Sequence, residues 1–135
     1  MTLTLDISHT IRDKFRRWAK ANWPNEILVG MYGEFVNGVW RVSGLSEPML
    51  GDRDAVEYDP KQWEEDRPYV IGTIHTHCET QRYDKCYASP SYADIDNASA
   101  IAERVYGVCA VWKHPDGTLL TNLKFFTSGP ALKLI

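Results

Sequence analysis

Apolar positions along this chain switch between the spacing of a helix and the spacing of strands. Ile11, Phe15 and Trp18 recur on one helical face. Ser8 stands where an N-cap hydroxyl would satisfy the first free amides, so the pattern predicts a helix from Ser8 to about Ala21. Asn22-Trp23-Pro24-Asn25 ends it. Residues 26–36 then read as a strand, Asn37-Gly38 as a two-residue hairpin turn, and Val39–Ser43 as the return strand. Residues 45–68 carry three prolines and many charges, which predicts a long connection with one helical turn after Asp59-Pro60. Tyr69–His77 is largely apolar up to Ile74, as suits a central strand covered on both faces. A polar loop follows, and residues 91–105 predict a helix. Tyr106–Lys113 and Thr118–Thr127 predict strands joined by the turn His114-Pro115-Asp116-Gly117. Helix, hairpin, strand, helix and two strands make an α/β domain, a mixed β-sheet packed between helices.

Composition narrows the class. At 135 residues the chain suits one domain spanning 1–135, and its 44% apolar residues and five tryptophans suit a packed core. A net charge of −3 offers no electrostatic case for nucleic acid or an anionic membrane. No apolar run approaches the roughly 20 residues that span a bilayer. Met1-Thr2-Leu3-Thr4-Leu5-Asp6 lacks the basic region and apolar stretch of a signal peptide. Cys78, Cys86 and Cys109 are odd in number and scattered, and read as reduced thiols of a cytoplasmic protein. Arg12, Lys14, Arg16, Arg17 and Lys20 read as a solvated helix surface. His9 and His114 read as surface residues.

The chemistry gathers in residues 75–94. His75 and His77 are two apart on a strand, so they project from one face and can share a metal ion. Asp94 could add an anionic third ligand. Two histidines, a carboxylate and a position left to water is one way of holding a catalytic zinc. On the predicted helix Asp94 lies within about 40° of Ala98, Ile101 and Val105, so it belongs to the core-facing stripe, where a carboxylate is paired or binds metal. The bland alternative makes Ser91-x-x-Asp94 a variant capping box. A zinc hydrolase also needs a general base. Glu26 opens an apolar strand and is the only acid between Asp13 and Glu34. Spacing alone reads more simply as an ordinary strand-edge carboxylate.

Pro24-x-Glu26-x-x-x-Gly30-x-x-Gly33, then His75-x-His77, then Pro90-Ser91-x-x-Asp94, resembles the signature of the JAMM (MPN-plus) zinc metalloproteases. The order of predicted elements resembles that family's domain as well, so the likeness extends over nearly the whole chain. It implies an MPN-type fold with a cytidine-deaminase-like architecture. It implies one Zn2+ per chain on His75, His77 and Asp94, with Glu26 as general base and proton shuttle. Ser91 would hydrogen-bond the oxyanion. The implied activity is hydrolysis of peptide or isopeptide bonds, with a peptide or a ubiquitin-like protein as partner. The sixteen residues between His77 and Asp94 exceed the family's connection, and Cys78 stands where proline is usual. The extended loop at 78–89 is therefore expected beside the metal as a lid, and it brings Asp84 and Cys86 near the proposed ligands in sequence.

Three rivals remain. A non-catalytic MPN scaffold would typically have lost ligands that this chain keeps. A zinc deaminase requires a Cys-x-x-Cys pair that the sequence lacks. A metal phosphoesterase using His-x-His would often recruit further carboxylates for a second metal.

Overall fold

The computed structural model describes residues 2–52, 56–79, 105–127 and 131–134. Their element order is β1 (Thr2–Asp6), α1 (His9–Asn22), β2 (Ile27–Val36), β3 (Val39–Leu45), β4 (Met49–Leu50), α2 (Pro60–Asp66), β5 (Val70–Glu79), β6 (Tyr106–Lys113), β7 (Leu119–Phe126) and β8 (Ala131–Leu134). The strands form one mixed sheet in the order β7-β6-β5-β2-β3-β1-β8, with β4 also paired to β2. β2 is antiparallel to β3 and β5, whereas β5 runs parallel to β6.

Local chemistry explains the elements the sequence predicts. Ser8 caps α1 by accepting from the Ile11 amide at 3.2 Å. The β2–β3 hairpin turns at Asn37 and Gly38, whose φ of 51° and 80° are the positive pair that a type I′ turn requires. Asp59 caps α2 through the Lys61 and Gln62 amides, with Pro60 in the first turn, where its missing N–H costs nothing.

The core lies on one face of the sheet. Phe15 and Ala19 of α1 are buried there with Leu5, Ile27, Val29, Met31, Ile74, Cys109 and Val111. Alternation sends the neighbouring residues to the opposite face, where Val108, Ala110, Tyr106 and Trp112 are also buried in two smaller clusters. Tyr106–Trp112 is thus apolar throughout because β6 is covered on both sides.

Several expectations need correction. The sequence pattern does not predict β1 and β8. They lie at one margin of the sheet and pair with each other in parallel, from Thr2↔Ala131 to Leu5↔Leu134. The helical turn expected after Asp59-Pro60 is the seven-residue α2, but the segment 45–68 also contains the two-residue β4, which the pattern does not predict. The first two residues of the loop expected at 78–89 are strand, and residues 80–89 lie outside the described residues. β5 runs on through Cys78 and Glu79, which pair with Val111 and Trp112. The predicted helix at 91–105 falls outside the described residues, apart from its last position.

Candidate active site

His75 and His77 stand on β5, the strand between β2 and β6. Their register partners on β6 are Val108 and Ala110, both members of the clusters on the face away from α1. Thr76 between them is fully buried and opposite Cys109, a member of the main core. Both imidazoles therefore project from the face opposite α1. Their Nε2 atoms are 3.0 Å apart, with ring centroids 4.9 Å apart. Two nitrogens bound 2.0–2.1 Å from one tetrahedral zinc stand roughly 3.3 Å apart, so these rings need to open by only a few tenths of an ångström to share the ion.

Glu26, the residue immediately before β2, is set toward the same face by alternation. It lies two residues before Leu28, the register partner of His75, and alternation gives Glu26 and Leu28 the same orientation. Its backbone is fixed by the edge formed with β4: the Glu26 amide donates to the Asp52 carbonyl at 2.7 Å, and Gly51 donates to the Glu26 carbonyl at 2.9 Å. The residue is only 6% exposed. A carboxylate so withdrawn from water is costly unless it is partnered or at work.

The two strands part at this point. The backbone register of β2 with β5 ends at Leu28↔His75. The next amide on that edge, of Ile27, donates instead to the Thr76 hydroxyl at 2.8 Å. A side chain thus replaces a ladder carbonyl as β5 leaves β2 to continue along β6.

Further along β2 the same face carries polar groups that the sequence did not single out. Ser46 is buried and acts as both partners of Gly30: its amide donates to the Gly30 carbonyl at 2.9 Å and its hydroxyl accepts from the Gly30 amide at 2.7 Å. Asp66 of α2 gathers three donors on Oδ2, the hydroxyls of Tyr32 and Tyr58 at 3.2 and 2.8 Å and Gln62 Nε2 at 2.9 Å. These bonds, led by the one from Gln62, hold the Asp66 carboxyl below its ordinary pKa. Burial and the same carboxylate push both tyrosine hydroxyls above theirs. No local motif announced this network, since residues 32, 58, 62 and 66 meet only through α2 docking on the sheet.

Of the five residues singled out from sequence, the described structure places His75, His77 and Glu26 on one sheet face. Ser91 and Asp94 lie outside the described residues, as do Asp84 and Cys86. Among the described residues no three His, Cys, Asp or Glu side chains converge as a metal site. Cys109 is a buried free thiol. His9 and His114 are exposed. No described helix is long and apolar enough to cross a membrane.

No family model matches the sequence, and no curated protein matches it. Solved structures do resemble its fold. AF2198, a JAB1/MPN domain protein from Archaeoglobus fulgidus, is 13% identical and superimposes with a TM-score of 0.52 over 99% of this chain and 98% of its own. Protein DSY2949 from Desulfitobacterium hafniense is 15% identical, with a TM-score of 0.54 over 100% of this chain and 93% of that one. At such identities the likeness concerns the fold alone, which this chain shares with a JAB1/MPN domain protein.

Proposed function

We propose that this chain is a zinc-dependent JAMM-type hydrolase of amide bonds, acting on a peptide or on the linkage that follows the C-terminus of a ubiquitin-like protein. The single observation that carries the reading is the pair of Nε2 atoms at 3.0 Å on the same sheet face as the buried Glu26. Asp94 is proposed as the third ligand on the strength of its Ser-x-x-Asp context, and Ser91 as donor to the oxyanion. One zinc per chain would act as a Lewis acid on the scissile carbonyl and lower the pKa of the attacking water.

The chain's own residues do the rest. His75 and His77 each have to keep Nε2 unprotonated to serve as ligands, and the rigid β5 sets their spacing. The Glu26 carboxylate takes the proton of the attacking water and delivers it to the leaving nitrogen, as general base and then general acid. Its burial strengthens that role, because a charge in a weakly screened site interacts more strongly with the groups around it. The Ser91 hydroxyl donates to the carbonyl oxygen as negative charge collects there.

The experiment is a mass-spectrometric cleavage assay on a panel of ubiquitin-like fusions and peptides, run with zinc and with a chelator. Cleavage that the chelator abolishes and zinc restores supports the reading. No cleavage of any amide by zinc-loaded protein favours a non-catalytic scaffold.

A further inference from the structure

A cavity of about 500 Å3 opens at the other end of β2, lined by Tyr32, Gly33, Glu34, Ser43, Asp66 and Tyr69. At Tyr32, one of its lining residues, both neighbours of β2 slip register: β3 between Tyr32 and Gly33, and β5 between Met31 and Tyr32. Bulges of this kind bend the sheet locally and tend to border binding sites. Gly33 is required in the floor, since a Cβ there would strike the Arg41 carbonyl.

Its lining is anionic and aromatic. Asp66 stays ionised through the donors on Oδ2, all of them neutral, while Oδ1 accepts no hydrogen bond among the described residues. Glu34 is exposed, and its cross-strand partner Arg41 is engaged with Asp6 at 3.2 Å. Among the described residues no Lys, Arg or His forms an ion pair with either carboxylate. Tyr69 is 66% exposed, a ring left open at the rim. Two such carboxylates beside tyrosine rings suit an organic cation with an apolar stem, the cation meeting Oδ1 and the stem lying on a ring.

We propose that this cavity takes a lysine or arginine side chain from an extended polypeptide. If the reading of the histidine pair given above holds, that polypeptide is the substrate. Tyr32 and Leu28 are four residues apart on one face, roughly 13 Å at the rise of a strand, so about four extended residues would join the cavity to the bond cut beside His75.

The test is an NMR titration of the labelled full chain with N-acetyl-arginine amide, N-acetyl-lysine amide, the neutral N-acetyl-citrulline amide and magnesium chloride. The cationic amides are expected to shift the resonances of Gly33, Glu34, Asp66 and Tyr69, and the tighter of the two identifies the preferred side chain. Citrulline and magnesium should leave them in place. Glu34→Gln should weaken binding by about threefold, as for an exposed ion pair, and Asp66→Asn by about tenfold. Asn keeps an acceptor for the tyrosine hydroxyls, and Glu34 is exposed, so a native amide spectrum is expected in both variants. Citrulline binding as well as arginine, magnesium giving the same shifts, or unchanged affinity in both variants would each overturn the proposal. The titration requires no turnover. Binding without cleavage therefore counts against the hydrolase alone, and cleavage without binding counts against this subsite alone.

Discussion

The Thr76 hydroxyl accepts the Ile27 amide at 2.8 Å at the point where β5 leaves β2. That one bond ties the residue between the two histidines to the residue that follows Glu26. Thr76→Val keeps the shape and removes the acceptor, leaving a buried amide without a partner, which costs about 1–3 kcal/mol. Thr76→Ser should retain most of the stability. Urea denaturation of the three proteins measures the difference.

Backbone proximity makes a sharper contrast. A Cβ on Gly72 would run into the Val105 carbonyl, which cannot move aside as a flexible side chain can. Gly72→Ala should therefore lose about 1–3 kcal/mol or more. A methyl group on Gly44 would meet nothing within 4 Å, and its φ needs no glycine. Gly44→Ala should stay within about 0.5 kcal/mol of the parent. Thermal melting of both variants checks the pair.

Asp66 sets an acid limit. Its folded pKa is lowered, chiefly by the bond from Gln62 Nε2, so the stabilisation is fully present above the ordinary carboxylate value and fades as pH falls through the folded value. The parent should lose stability below about pH 4, where an unfolded aspartate begins to protonate. Asp66→Asn cannot titrate there, and its stability should fall less over the same range. Denaturation midpoints between neutral and acid pH decide this, and parallel curves would exclude the role. Asp116, also lowered through its bonds with Thr118, titrates in both proteins and cancels in the comparison.

Much of this fold was legible in local pattern. Ser8, Asn37-Gly38 and Asp59-Pro60 each fix an element boundary by satisfying or relieving a backbone constraint within a few residues. β5, β6 and the strand that follows Glu26 were legible from their apolar runs. β1 and β8 were not, because each is short and held by parallel pairing to residues far away in sequence. The alternation Thr2-Leu3-Thr4-Leu5 was the available signal, and Leu5 is indeed fully buried. The common face of His75 and His77 was legible from their spacing of two on one strand, whereas spacing alone read Glu26 as an ordinary strand-edge carboxylate and only the family resemblance singled it out. The Tyr32–Tyr58–Asp66 network was not, since only the docking of α2 brings those residues together.

Glu26→Gln separates the base from the ligands. The amide is nearly isosteric and cannot accept a proton, so turnover on any substrate the parent cuts should fall by about 10²–10⁴-fold while bound metal stays unchanged. Unchanged turnover would place the base elsewhere.

Zinc content tests the central claim most directly. Elemental analysis of the purified parent, His75→Ala, His77→Ala, Asp94→Ala and Glu26→Gln should find about one zinc per chain in the parent and in Glu26→Gln, and none in the other three. Full occupancy in either histidine variant, or a parent that takes up no zinc when it is supplied, would contradict a metal centre on β5.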